Sequence, residues 1–224
     1  MVQFNLQRRE LTLKVVYYGP ALSGKTTNLQ ALHKMAPRQG VGRLMTLETR
    51  DDRTLFFDLL PVVFKSRSGF QLKLKVLTVP GQVMHNSTRR VVLQGADAVA
   101  FVADSQITET EANKESFRNL QENLTANGLP PDLPLVIQFN KRDLPGIRSD
   151  SELAAFARHR KTPLYKSIAI EGLGVRETLE GLLTVAWDGL EQRVGLGQKL
   201  RVDRDAFLAE VFQDWGPPQS VIGG

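Results

Sequence analysis

The chain has 224 residues, 42% of them hydrophobic and 24% charged, with a net charge of +5 and a pI near 9.6. Those proportions suit a globular protein with one domain and a sizeable core, or one domain and an appendage. With no cysteine, a disulfide framework, a thiolate metal site and a prenyl anchor are excluded.

No apolar run approaches the roughly 18 residues of a spanning helix. The stretch Met1-Val2-Gln3-Phe4-Asn5-Leu6 lacks the apolar segment of a signal peptide, and Val2 stands where myristoylation requires glycine. A cytoplasmic location follows as the expectation, with membrane contact at most peripheral and no lipid anchor. The basic residues come as scattered pairs, Arg8/Arg9, Arg89/Arg90, Lys141/Arg142 and Arg160/Lys161. No basic block or aromatic-interleaved run is present, so the charge reads as a solvated surface and not as a nucleic-acid site.

In chain order, residues 11–18 alternate and are β-branched and aromatic, which predicts a strand. Gly19-Pro20-Ala21-Leu22-Ser23-Gly24-Lys25-Thr26 follows and fits the phosphate-cradling pattern G-x-x-x-x-G-K-[ST]. Behind it Leu29, Leu32 and Met35 repeat at helical spacing. Such a loop needs glycines to fold tightly and turn successive N–H groups onto an anion, with a helix N-terminus adding its own donors. Here Gly19, Ala21, Leu22, Ser23, Gly24, Lys25, Thr26 and Thr27 are the candidate phosphate contacts. Lys25 would reach the β- and γ-phosphates, and the Thr26 hydroxyl would ligate magnesium.

Residues 43–47 read as a short strand and 48–54 as a polar loop. Residues 55–64 form an apolar strand interrupted by Asp58 and Pro61, the proline marking an edge or a bulge. Residues 70–76 alternate cleanly, and the two strands read as an antiparallel pair joined by 65–69. Thr78-Val79-Pro80-Gly81-Gln82 ends the second of them. It stands where a γ-phosphate sensor belongs: the Gly81 N–H would bond a γ-phosphate oxygen, and Gln82 would orient the attacking water. Thr54 would complete the magnesium shell, with Thr49 as the runner-up.

A polar helical stretch runs through Gln94, and 98–103 is a buried strand ending at Asp104. A helix over 116–127 and a buried strand over 135–139 follow. Asn140-Lys141-Arg142-Asp143 sits at the end of that strand and fits N-K-x-D. The Asp143 carboxylate would accept from guanine N1–H and the exocyclic amine, a donor pair adenine lacks, giving discrimination of roughly 10⁴. Lys141 would lie across the base and Asn140 would brace the loops. After a helix over 151–160 and a strand over 164–169, Ser167 and Ile168 are candidates to offer a backbone N–H to the base. A helix over 175–192 follows. Alternating strands and helices predict a doubly wound, mostly parallel α/β sheet with one antiparallel edge strand and helices on both faces. Every candidate loop follows a strand, so all should meet at one edge of the sheet.

The phosphate loop, Pro80-Gly81-Gln82 and Asn140-Lys141-Arg142-Asp143 together resemble a Ras-like small GTPase. Val16-Tyr17-Tyr18-Gly19-Pro20, Asp52-Arg53-Thr54-Leu55-Phe56-Phe57-Asp58, Phe101-Val102-Ala103-Asp104-Ser105-Gln106 and Gln138-Phe139-Asn140-Lys141-Arg142-Asp143-Leu144-Pro145 narrow the resemblance to the bacterial MglA-type GTPases. It spans roughly residues 5–195. It implies a GTP/GDP switch with Mg²⁺, GTP hydrolysis, control of polarity or motility, and a roadblock-type homodimeric regulator. It also implies that Arg53 is the arginine supplied in cis to the phosphates. Ras-like proteins carry aspartate where Thr78 stands, to hold a magnesium-bound water, whereas the MglA-type pattern itself carries the threonine.

The domain expectation is a GTPase domain over 1–195 and a C-terminal extension over 196–224. Leu208, Val211, Phe212 and Trp215 form one apolar stripe there, behind a hinge at Gly195-Leu196-Gly197. Two other function classes are open to the residues: a scaffold locked on its nucleotide, which Gln82 opposes, and an ATP-dependent kinase, which Asn140-Lys141-Arg142-Asp143 opposes.

Overall fold

The alternating and unbroken apolar runs become strands of a single sheet. The structure, a computed structural model, describes residues 3–5, 7–49, 55–66, 69–158 and 161–216. Among the described residues the strands are β1 (Gln3–Asn5), β2 (Glu10–Tyr18), β3 (Met45–Thr49), β4 (Leu55–Lys65), β5 (Gln71–Thr78), β6 (Ala98–Asp104), β7 (Leu135–Asn140) and β8 (Leu164–Lys166). They lie in the order β3-β4-β5-β2-β6-β7-β8, with β1 attached to β2. β2 pairs in parallel with β5 and β6, and β6-β7-β8 continue in parallel. β4 is antiparallel to β5 and carries β3, also antiparallel, outside it. β3 pairs with residues 55–59 of β4 only, so Pro61 lies beyond that ladder and costs it no bond.

Seven helices among the described residues cover the sheet: α1 (Lys25–Met35), α2 (Asn86–Leu93), α3 (Thr110–Ala126), α4 (Asp150–Arg158), α5 (Val175–Val194), α6 (Leu196–Leu200) and α7 (Arg204–Phe212). The period of two along β2 divides the core. Leu11, Leu13, Val15 and Tyr17 face α1, α5, α6 and α7, while Val16 and Tyr18 face α2 and α3. β6, covered on both sides, is buried at every position, as its uninterrupted apolar sequence requires. None of the helices described is long and apolar enough to cross a membrane.

Several boundaries differ from the sequence expectation. Glu48 and Thr49 continue β3 instead of entering the loop. α3 begins at Thr110, before Ser116, because its polar first turns add nothing to the apolar stripe that marks the helix. β8 stops at Lys166, and the chain then forms a 3-10 turn at Ala169–Glu171. At the expected hinge, Gly195 adopts a left-handed φ of 61° and ends α5, but Leu196 opens α6 and is buried with Leu200. α7 is capped by the Asp203 carboxylate, which accepts from Ala206 N at 2.8 Å. The apolar side of α7 packs on the chain's own core: Phe207 stacks on Phe70 at 5.2 Å and meets Trp187 at 4.7 Å. Trp215 is buried, and Gly216 N donates to Met35 O at the end of α1.

Candidate functional site

Because β2, β5, β6, β7 and β8 run in one direction, the loops after Tyr18, Thr78, Asp104, Asn140 and Lys166 share one edge of the sheet. A cleft of about 380 Å³ opens there, between Ala21, Leu22, Gly24, Lys25, Thr26 and Thr27 on one side and Asp58, Thr78, Gly81 and Gln82 on the other. A larger hollow, about 490 Å³ and mostly apolar, lies between α3 and α4 and is lined by none of the residues of the 19–27, 78–82 and 140–143 loops.

Gly24 precedes α1 with a φ of 96°, a conformation costly for any residue with a Cβ, and a Cβ there would also strike the Asn140 amide. No side chain caps α1. The backbone N–H groups of Lys25, Thr26 and Thr27 find no acceptor among the described residues, and the Ser23 hydroxyl is buried without a partner. A concave loop of unspent donors at a helix N-terminus is an anion site. Lys25 is buried there, its Nζ donating to Gly19 O at 3.1 Å and Pro20 O at 2.5 Å. Burial, and then the charge of Arg89, lower its pKa to about 7, with Asp58 pulling the other way.

The loop after β5 lies against this one, so closely that a Cβ on Gly81 would strike the Ala21 backbone. The Gln82 side chain is exposed in the cleft and makes no hydrogen bond among the described residues. Arg53 and Thr54 lie outside the described residues.

Asp58 is the residue that the motif reading passed over. It comes from β4, the strand beside Thr78, and is buried. Its Oδ2 accepts from the Thr26 hydroxyl at 2.6 Å and from the Thr78 hydroxyl at 3.0 Å, and its Oδ1 accepts from Thr46 at 3.0 Å. A carboxylate thus stands beside the magnesium-candidate hydroxyl although position 78 supplies none. The signal in the sequence was an aspartate inside an apolar strand. Recognising it needs the β4–β5 register, which sets Leu59 against Leu77 and brings Asp58 to Thr78.

At the other end of the cleft edge, Asn140 joins three segments. Its Nδ2 donates to Ser23 O at 2.9 Å, and its Oδ1 accepts from the Ser167 hydroxyl at 3.0 Å and Ala169 N at 2.9 Å. Lys141 takes a left-handed φ of 66° and pairs with Asp104 at 2.6 Å. The Asp143 carboxylate is exposed and makes no hydrogen bond or ion pair among the described residues. Ser167 and Ile168 stand on the same edge, with their N–H groups bonded within the fold. Ser167 N donates to Phe139 O, Ile168 N to Leu173 O and Ala169 N to Asn140, so none of the three N–H groups is left for a base.

A glycine loop between a parallel strand and a helix, with an Asn-Lys-x-Asp turn on the same edge, defines a P-loop GTPase. No protein-family model matches the chain. Over 179 residues it is 45% identical to the Mutual gliding-motility protein MglA of Myxococcus xanthus, a match covering 80% of this chain and 92% of that protein. The chain belongs to the MglA-type family of small Ras-like GTPases and is an enzyme that hydrolyses GTP.

Proposed function

We propose that this GTPase is a switch controlling polarity or motility in the cytoplasm, read by effectors while GTP is bound and reset by hydrolysis. The single observation carrying the reading is the meeting of three loops at one sheet edge, joined by Asn140. Residues 1–195 form the GTPase domain on this reading, and 196–224 an extension to it. The 19–27 loop wraps the α- and β-phosphates, with Lys25 on the β- and γ-phosphates. Asp143 reads the guanine donors, Lys141 covers the base, and Asn140 holds the loops in register.

The family implies Mg²⁺, and the donors present fit it. The Thr26 hydroxyl and the Asp58 carboxylate are hard oxygen donors in the cleft, and their 2.6 Å bond leaves the hydroxyl lone pairs for a cation. Thr26 would ligate the ion directly, Asp58 through a bound water, and Thr54 would complete the shell. When bound, the ion neutralises charge on the β- and γ-phosphate oxygens. Gly81 N–H holds the γ-phosphate and Gln82 orients the water.

Arg53 supplies the remaining positive charge once a roadblock-type homodimeric regulator repositions the 48–54 segment. Unstimulated turnover is then on the order of 10⁻⁴ to 10⁻² s⁻¹. Arg53→Ala is expected to keep GTP and regulator binding and to lose the stimulated rate. Full stimulation of that variant would place the arginine in the partner instead.

The test of the site is nucleotide choice. The unaltered protein should bind GTP at least 10³-fold more tightly than ATP, on the order expected of a site built on paired donors. Asp143→Asn should weaken GTP and strengthen xanthosine triphosphate, whose 2-oxo group matches the amide. Equal GTP and ATP affinities would sink the assignment.

A further inference from the structure

Arg89, on α2, is the largest fully buried side chain among the described residues. Its Nη1 donates to Asn119 Oδ1 at 2.8 Å, and its Nη2 donates to Ser116 Oγ at 2.8 Å and to Gly19 O at 3.2 Å. The guanidinium lies 4.3 Å from the centre of the Tyr18 ring. Its Nε is buried with no partner. Every one of these acceptors is neutral, and no carboxylate lies within 4 Å of the group among the described residues. Buried guanidinium groups are ordinarily paired with an anion.

A second buried cation stands beside it. Lys25 Nζ and Arg89 Nη2 donate to the same oxygen, Gly19 O. The buried carboxylate of this cleft, Asp58, is shared by three threonine hydroxyls. Two cations thus stand under the phosphate loop; among the described residues Asp58 is the buried carboxylate there, and the exposed Glu115 acts on Arg89 from beyond ion-pair distance. The loop above them presents unspent N–H donors, the arrangement that receives an anion.

We propose that Arg89 is a remote electrostatic determinant of nucleotide affinity, a buried guanidinium whose counter-charge is the polyphosphate chain itself. This rests on the reading of the 19–27 loop as the phosphate site. Arg89 does not touch the phosphates; it acts through the Gly19 carbonyl and through its field, so its effect grows with the number of phosphates. It is a positioning residue and not a catalytic one.

The experiment compares GMP, GDP and GTP affinities, without divalent metal, for the unaltered protein, Arg89→Gln and Arg89→Lys. In the Gln variant GDP affinity should fall about tenfold, the size expected of one charge acting at short range in partly screened surroundings. GTP affinity should fall further, and GMP affinity should stay within about twofold. The Lys variant keeps the charge and should keep the dependence on phosphate number, which a packing role alone would not require. An equal loss for all three nucleotides, or no loss, overturns the proposal. If the unaltered protein shows no gain from GMP to GDP, the phosphate-site reading fails first and this inference with it.

Ser116→Asp and Ser116→Asn give a second test that leaves Arg89 in place, since the two side chains differ in charge and hardly in shape. The aspartate supplies the missing partner inside the protein. It should weaken GDP relative to GMP and raise the melting temperature of the nucleotide-free protein above that of the asparagine variant. Identical behaviour of the two variants overturns the proposal.

Discussion

The phosphate cleft and the C-terminal segment 196–216 are held by opposite means. In the cleft, charged and hydroxyl groups are buried: Lys25, Asp58, Thr78 and Arg89 bond to one another or to loop carbonyls. In the segment, Leu196, Leu200, Phe207, Leu208, Val211, Phe212 and Trp215 bury apolar side chains in the core. Burying charge costs stability and burying apolar area supplies it. One region is therefore expensive and chemically competent, the other stabilising and chemically silent. The segment covers Phe70 and Trp187 on the sheet face opposite α2 and α3, so stability is added without crowding the loops.

Three perturbations separate the two, from large effect to small. Truncation after Gly195 removes seven buried apolar side chains at once and should abolish a cooperative thermal transition. The gentler Phe207→Ala should cost about 3–5 kcal/mol and lower Tm by on the order of 10 °C, with GDP affinity unchanged. Calorimetry with and without GDP reads both, and a folded truncation product of unaltered Tm would refute the role given to the segment. Asp58→Asn should do the reverse. It keeps the shape, changes Tm little, and should weaken magnesium-dependent nucleotide retention by roughly 10–100-fold, the usual loss when a group orienting a metal ligand is removed. Release of a fluorescent GDP analogue across a magnesium titration measures it, and unchanged magnesium dependence would exclude Asp58 from the metal site.

The smallest effect is that of pH. In the nucleotide-free protein Lys25 loses its proton near pH 7, against 10.5 in an unperturbed lysine. Bound phosphate restores the proton, so binding takes one up, and GDP affinity should fall about tenfold from pH 7.0 to 8.5. For folding of the nucleotide-free protein the sign is opposite. The unfolded state binds more protons between about pH 7 and 10.5, so stability rises with pH over that window. Titration calorimetry in buffers of different ionisation enthalpy would detect the proton; an affinity flat across the range would mean that Lys25 stays charged.

What was legible in the sequence divides along the same line. The loop at 19–26 and the turn at 140–143 are contiguous, so their residue types reveal them, and the parallel sheet follows from the alternation around them. Asp58 was visible only as an oddity, because its partners Thr26 and Thr78 lie 32 and 20 residues away and meet it through strand register. Arg89 was read as one of a surface pair, since nothing local marks a buried arginine; its neighbours Ser116 and Asn119 belong to another helix. The stripe on α7 was legible from its spacing, but not the surface it covers. Phe207 lies outside the stripe and is yet among its best-packed residues, because Phe70 and Trp187 approach from the flank. The strand expected over 164–169 stops at Lys166, because the chain turns there and bonds its N–H groups to itself.

The bond from Gly216 N to Met35 O, 2.9 Å, fixes Gly216 at the end of α1. Met35 ends α1 and Gly24 precedes it, and eleven residues of helix span roughly 16 Å. Gly216 therefore lies a full helix length from the phosphate loop, away from whatever docks on the nucleotide face. A fluorophore, an affinity handle or a surface tether joined at the exposed Asp214 would pull on the protein from that far pole. Immobilised in this way, the enzyme would present its working edge outward, an orientation suited to single-molecule measurement of its cycle.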